Sequence, residues 1–275
     1  MTSERDPGQW WTETLSPLSG CTSAGAGCDN CHSIRRMKRR LPMLRGAGNA
    51  DVSPHTVLLH PERLAKLRTW LKPRRVLTPM LGDYFHHDVP DEFLDLAFGA
   101  MLASPQHTYC VLTKRPRRAA DYLAACLTRN RKLCSAATEV NNTIISGAVV
   151  DIVLEGKERW PIFLMPSVWD QASADSACAA FSRLPAGVAW GLHVEPMLGP
   201  VDMRKAQPQA RATLPAWIVV GAEQGPGARP FDLDWARSLR DQCASASVPF
   251  WFKGGSRRSD PPPDLNVRQA PWGAA

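Results

Sequence analysis

The chain reads as an α/β protein built on an incomplete parallel (β/α) barrel of about six to seven strands. Three observations predict this. Short runs rich in β-branched and aromatic residues recur along the chain. Helix-like patterns separate them. A charged or amide residue follows most of the runs, where a parallel barrel gathers its strand ends on one rim. The alternation of strand and helix calls for a parallel sheet covered by helices, and an open doubly wound sheet is the second arrangement that satisfies it.

The elements follow in order. A first strand is expected within Trp10–Leu15. Later strand runs are Val76–Leu81, Thr108–Thr113, Ile162–Val168, Val188–Val194, Trp217–Gly221 and Val248–Phe252. Pro61–Leu71 is a candidate helix before the second run. Pro90–Ala103 opens with proline and then Asp91 and Glu92, a good helix start. Pro116–Thr128, Ala172–Leu184 and Asp232–Ala246 complete the helical set. Residues 129–160 break the rhythm and read as an insertion. From Gly254 onward Gly254-Gly255 and Pro261-Pro262-Pro263 suggest a flexible tail, which leaves 1–253 as one barrel domain.

With 275 residues and 44% hydrophobic content, a single large core is affordable without a disulfide scaffold. Met1–Gly20 is polar and lacks the apolar centre of a secretory signal, and no apolar run approaches membrane-spanning length. The expectation is a cytoplasmic protein that does not enter membranes. In that compartment eight cysteines point to free thiols and a metal site. The formal charge of +7 is clustered in three blocks: Arg35 to Arg45, Lys72 to Arg75, and Lys114 to Arg118. Such blocks suit phosphates or nucleic acid, and equally a solvated helix face.

Six strand runs end on polar side chains: Asp83, Lys114 with Arg115, Asp170 with Gln171, Glu195, Glu223 with Gln224, and Lys253. A shared rim would make them one site. Lys114 and Arg115 suit an anionic substrate. Asp83 and Glu195 are carboxylates able to orient cofactor or substrate, or to form buried ion pairs. After the Trp217–Gly221 run comes Gly221-Ala222-Glu223-Gln224-Gly225-Pro226-Gly227-Ala228-Arg229. It fits neither a Walker loop nor a dinucleotide fingerprint. Its glycines would let backbone amides approach a cofactor, with Glu223 accepting from ribose hydroxyls and Arg229 meeting a carboxylate or phosphate.

The strongest motif is Cys21-Thr-Ser-Ala-Gly-Ala-Gly-Cys28-Asp-Asn-Cys31. Three thiols lie close in a loop whose glycines let the backbone wrap tightly. A four-iron cubane normally takes four thiolates, so three leave one iron open. Zinc would also accept three cysteines, with His32 or His55 as the fourth ligand. Cys28-Asp-Asn-Cys31-His32 matches a c-type haem attachment pattern, which needs export and is set aside. Cys110, Cys178 and Cys243 fall in separate predicted elements and read as core residues.

This loop, with a strand before it and a basic helix after it, resembles the three-cysteine loop of radical-SAM enzymes, and more specifically a phage and prophage family of radical-SAM-like proteins. The resemblance runs over nearly the whole chain. It rests on Gly20-Cys21-Thr22 with Gly27-Cys28-Asp29-Asn30-Cys31, on Leu59-His60-Pro61-Glu62-Arg63-Leu64, and on Asp83-Tyr84-Phe85-His86 with Val89-Pro90-Asp91-Glu92-Phe93. It continues through Val111-Leu112-Thr113-Lys114-Arg115-Pro116, Glu195-Pro196-Met197-Leu198-Gly199-Pro200-Val201-Asp202, Gly225-Pro226-Gly227-Ala228-Arg229-Pro230 and Val248-Pro249-Phe250-Trp251-Phe252-Lys253.

The resemblance implies a 4Fe-4S cluster on Cys21, Cys28 and Cys31 whose open iron chelates S-adenosylmethionine. An external electron donor would supply one electron, and the resulting 5′-deoxyadenosyl radical would abstract hydrogen from a substrate in the barrel. Lys114 and Glu195 are then the candidate catalytic residues, and Asp83, Glu223, Gln224 and Arg229 the candidate cofactor-binding residues. A nucleotide or a modified base in nucleic acid is the implied substrate, with isomerisation during phage DNA hypermodification as one outcome. The alternative is a zinc-stabilised nucleic-acid-binding protein without radical chemistry. A degenerate barrel serving as a scaffold is the third. Two departures stand out. His32 replaces a usual aromatic residue after the last cysteine. Met165-Pro166-Ser167-Val168-Trp169-Asp170-Gln171 stands where similar proteins read Gly-Val-Ser-Val-Glu-Asp-Gln, and its proline cannot donate to a central ladder.

Overall fold

The computed structural model describes residues 8–46, 51–125, 160–184, 188–206, 214–255 and 261–272. Its strands are β1 (Glu13–Thr14), β2 (Leu18–Ser19), β3 (Leu58–Leu59), β4 (Arg75–Thr78), β5 (Thr108–Thr113), β6 (Ile162–Val168), β7 (Ala189–Trp190), β8 (Leu192–Val194), β9 (Ile218–Gly221) and β10 (Phe250–Gly254). The main sheet runs β1-β4-β5-β6-β8-β9-β10, with β7 also on β6, and every pairing in it is parallel. β2 and β3 form a separate antiparallel pair. The sheet curls into a half barrel, the incomplete parallel (β/α) barrel that the alternation of runs predicts.

Helix α1 (His32–Gly46) starts at the barrel mouth, and the single-turn α2 (Lys66–Thr69), α3 (Asp91–Leu102), α4 (116–125), α5 (Gln171–Phe181) and α6 (Leu233–Ser245) cover the convex face. Pro90 precedes α3 and Asp91 and Glu92 occupy its first turn, where negative charge meets the positive end of the helix dipole. Strand alternation sorts the side chains. Val76, Val111, Leu164, Val194, Val220 and Phe252 face the helices in the larger core. Leu77, Cys110, Phe163, Met165, Trp217, Val219 and Trp251 face the concave side and fill it with Trp10. Each such side chain, fully buried, stabilises the fold by about 1.5–3 kcal/mol. Cys110, Cys178 and Cys243 are buried, and burial pushes the thiols of Cys178 and Cys243 up to about 12.

Pro166 has a structural answer. Gly191 N donates to Leu164 O at 2.9 Å, so the polar groups of Leu164, and of Pro166 two residues on, face β7 and β8. The partner strand is interrupted there, between Trp190 and Leu192, so the missing donor faces a gap. A Cβ on Gly191 would lie 2.4 Å from Trp217 O and 2.8 Å from Phe163, so glycine holds the break.

The stretch expected as a loose tail is corrected over 261–272. Val267 O accepts from Phe252 N at 3.0 Å and Gln269 N donates to Phe250 O at 3.0 Å. Trp272 meets Trp217 edge to face at 4.8 Å. The Pro/Gly composition concealed apolar anchors at Leu265, Val267 and Trp272. Residues 129–159 of the expected insertion lie outside the described residues, as do Cys126 and Cys134. No helix among the described residues is long and apolar enough to cross a membrane.

Candidate functional site

The cysteine loop runs from Gly20 to Cys31 over the C-terminal ends of the strands. Gly20 has φ 86° and bridges Gly82, and a Cβ there would lie 1.8 Å from Thr56 O. The loop rests on Trp169, which follows β6: a Cβ on Gly25 or Gly27 would fall 2.6 or 2.5 Å from its indole. The glycines therefore supply close approach as well as turn geometry. Cys21, Cys28 and Cys31 are half-buried free thiols.

Two ionic braces hold this loop. On one side, Asp83 follows β4 and is buried. It accepts from Phe85 N, Thr113 Oγ1, Lys114 N and Arg115 Nη1, all at 2.8–3.0 Å. Arg115 reaches on to Cys21 Sγ at 3.4 Å and to Thr22 O at 3.0 Å. Burial pushes the Cys21 thiol up to about 11 even though the guanidinium beside it favours the thiolate. Thr22 is held further by His86, whose Nε2 lies 2.7 Å from Thr22 Oγ1.

The second brace comes from β9. Glu223, also buried, accepts from Arg229 Nε and Arg229 N at 2.9 Å each, from Arg229 Nη2 at 2.5 Å, and from Asn30 Nδ2 at 2.9 Å. Arg229 continues to Ala26 O at 2.8 Å and Asp29 Oδ2 at 3.0 Å. The bidentate bonds to Arg229 hold the Glu223 carboxyl down at about 2. Glu223 and Arg229 thus bond to the loop and to each other, and Asp83 reaches the loop through Arg115. Gln224 turns away: its Nε2 donates to Gly255 O at 2.6 Å. Asp170 does not join the rim. It caps α5, accepting from Ser173 N at 2.8 Å in a reciprocal capping box, and Gln171 binds the Asp202 backbone.

Below the loop, the concave face carries a hydrogen-bonded chain across three strands. Ser167 Oγ lies 3.3 Å from His193 Nδ1, His193 Nε2 lies 2.9 Å from Glu195 Oε2, and Lys253 Nζ donates to Glu195 Oε2 at 2.5 Å. Gly221 leaves the room in which this chain crosses β9, since a Cβ there would lie 3.1 Å from Glu195 Cδ. Burial pushes the His193 imidazole down and Lys253 and Lys114 add to this, against the Glu195 hydrogen bond. Burial pushes Glu195 up, but the Lys253 ammonium and the His193 hydrogen bond outweigh it and hold the carboxyl well below its usual range. A neutral imidazole beside an ionised carboxylate donates through Nε2, leaving Nδ1 to accept from Ser167. Lys114 lies against the loop, 3.3 Å from where a Gly27 Cβ would stand. It has no ion-pair partner among the described residues.

Five of the six predicted rim residues therefore converge: Asp83, Lys114, Glu195, Glu223 and Lys253. Sequence reasoning missed His193, Ser167 and Trp169. His193 stands two residues before Glu195 in a strand, so strand alternation places both on one face, but a lone histidine in an apolar run gives no other signal.

A soft three-thiol set, braced from two strand ends with a guanidinium beside Cys21, fits a thiolate-held iron–sulfur cluster. The same donor set suits one zinc ion, which takes three thiolates and a fourth ligand. His55, a proposed fourth ligand, has Nδ1 3.0 Å from Cys21 O. His86, His87 and Asp88 bring their donor atoms within 4.8 Å of one another but are a weak metal site. Both ring nitrogens of buried His86 already face protein partners, Thr22 and Asp88 N.

No curated protein and no solved structure matches the chain. Residues 7–261 match the family described as protein of unknown function (DUF5131), and with that span covering nearly all of its length the chain belongs to this family.

Proposed function

We propose that the protein is a radical-SAM-type enzyme. The observation that carries this reading is the placing of three half-buried thiols on one loop, braced from both sides over the polar end of a half barrel. A 4Fe-4S cluster with S-adenosylmethionine supplies one-electron reductive cleavage of a sulfonium and thereby hydrogen abstraction; the cofactors carry that chemistry and the protein places them. Cys21, Cys28 and Cys31 hold the cluster. Asp83 with Arg115, and Glu223 with Arg229, fix the loop over the barrel. Arg115 offsets the negative charge of thiolate at Cys21. Lys114, a cation facing the loop without an ion-pair partner among the described residues, binds an anionic group of cofactor or substrate. Glu195, kept ionised by Lys253 and oriented by His193, is the acceptor that positions substrate. The polar chain and the basic blocks support a nucleotide or a base in nucleic acid as substrate. An external donor provides the electron.

The test is reductive cleavage of S-adenosylmethionine. Protein reconstituted anaerobically with iron and sulfide, then given dithionite, is expected to release methionine and 5′-deoxyadenosine. Stoichiometric zinc, with no iron uptake and no cleavage, rejects the reading and supports a zinc-stabilised binder.

A further inference from the structure

Helix α1 follows directly from Cys31, and its sequence, HSIRRMKRRLPMLRG, holds six basic residues and no carboxylate. Its start is pinned at the barrel mouth. Ser33 Oγ donates to Met80 O at 2.7 Å, beyond β4, and Arg35 Nη2 donates to Gln224 O at 2.6 Å, beyond β9. Met37 is buried, which fixes the rotation of the helix. Arg36, Lys38, Arg39 and Arg40 consequently stand exposed. Among the described residues no carboxylate forms an ion pair with any of them. Arg36 lies three and four residues from Arg39 and Arg40, and Arg35 three and four from Lys38 and Arg39. Like charges at those spacings destabilise a helix. A run of cations that repel one another, with no internal neutralising partner in the described structure, is what an external polyanion would relieve.

We propose that the exposed face of α1 binds the phosphate backbone of a nucleic acid and leads it to the barrel mouth, so that the substrate is a base within a polynucleotide and not a free nucleotide. Arg36 to Arg40 rise over about 6 Å of helix, about two steps of a strand rising 3.4 Å per base, and their long side chains extend that reach along the backbone. Phosphate binding needs no cluster; only the fate of the base at the mouth rests on the function proposed above.

The test uses the full chain and a fluorescently labelled 20-nucleotide DNA, single-stranded and duplex, titrated at NaCl concentrations from about 50 to 200 mM. Four phosphate contacts predict a slope of log K against log[NaCl] of about −3 for the single strand and about −3.6 for the duplex. Replacing Arg36, Lys38, Arg39 and Arg40 together by glutamine should remove most of that slope, about 0.7 per residue for the single strand and about 0.9 for the duplex. Glutamine keeps good helix propensity, and circular dichroism checks that the variant is folded. Absence of binding at 50 mM NaCl, or an unchanged slope in the folded variant, overturns the proposal. So does tighter, charge-dependent binding to vesicles of phosphatidylserine and phosphatidylcholine than to either DNA. Cleavage of S-adenosylmethionine is measured separately. Its loss with the slope change intact rejects the radical reading and leaves this inference standing; the reverse result does the opposite.

Discussion

At the floor of the half barrel, Trp217 meets Trp10 at 5.1 Å, Trp251 at 6.3 Å and Trp272 at 4.8 Å, all edge to face. Two residues beyond Trp251 on β10, Lys253 joins Glu195, His193 and Ser167, at the ends of β8 and β6, in a chain of charge and hydrogen bonds. One alternation of side chains produces both ends. The floor is held by buried apolar area, which is insensitive to pH and tolerates imperfect geometry. The mouth is held by ion pairs and hydrogen bonds, in which each group depends on its partner and a removed partner strands a buried charge. Stability is therefore concentrated at one end of the barrel and chemistry at the other.

Trp217→Ala should break the floor with the largest effect, a loss of about 3–5 kcal/mol in denaturant unfolding, while the folded fraction keeps its cysteine loop. Arg115→Met strikes the mouth. It leaves Asp83 buried without its ion pair and should cost about 3 kcal/mol. Unlike the floor variant, it should also slow alkylation of Cys21, because the guanidinium that favours the reactive thiolate is gone, as measured by mass spectrometry on folded protein at a low temperature. Equal Cys21 reactivity in the two variants would erase the contrast.

A smaller effect follows from Glu223→Gln, which weakens the second brace by about 1–2 kcal/mol. Because the Glu223 carboxyl is held down at about 2, against 4.5 for the unperturbed group, its contribution is complete above about pH 4.5 and is lost as pH falls toward 2. The stability difference between wild type and variant should shrink over that window, as read by denaturant midpoints. Smallest per residue is the histidine contribution. His32, His60, His86, His107 and His193 all have imidazoles pushed down, mainly by burial. The unfolded chain takes up protons near 6.5 that the fold refuses, so stability should decline as pH drops below 6.5. His193→Gln should flatten part of that slope, and an unchanged slope would place His193 outside the buried chain.

The fold was legible because strands of a parallel barrel must be apolar where they are covered and polar where they exit. Glu195, Glu223, Lys114 and Asp83 announced the rim in this way. The loop was legible from the spacing of Cys21, Cys28 and Cys31. Their bracing partners were not: Arg229 meets Ala26 and Asp29 across some 200 positions, and nothing local marks such a contact. Asp170 misled because a helix cap and a catalytic carboxylate occupy the same place after a strand, and only the capping geometry with Ser173 separates them. Residues 261–272 misled because three prolines outweighed Leu265, Val267 and Trp272 as a signal, although those are the residues that pack.

The most direct test of the account counts iron in single-cysteine variants. In anaerobically reconstituted protein, Cys21→Ala, Cys28→Ala and Cys31→Ala should each abolish the visible iron–sulfur absorbance and bound iron. Cys110→Ala, Cys178→Ala and Cys243→Ala, each altering a residue buried on a separate element, should keep both, with only a loss of packing stability. If the loop variants retain iron as well as the core variants do, or if the wild type binds one zinc and never iron, the cysteine loop is not a cluster site and the account fails.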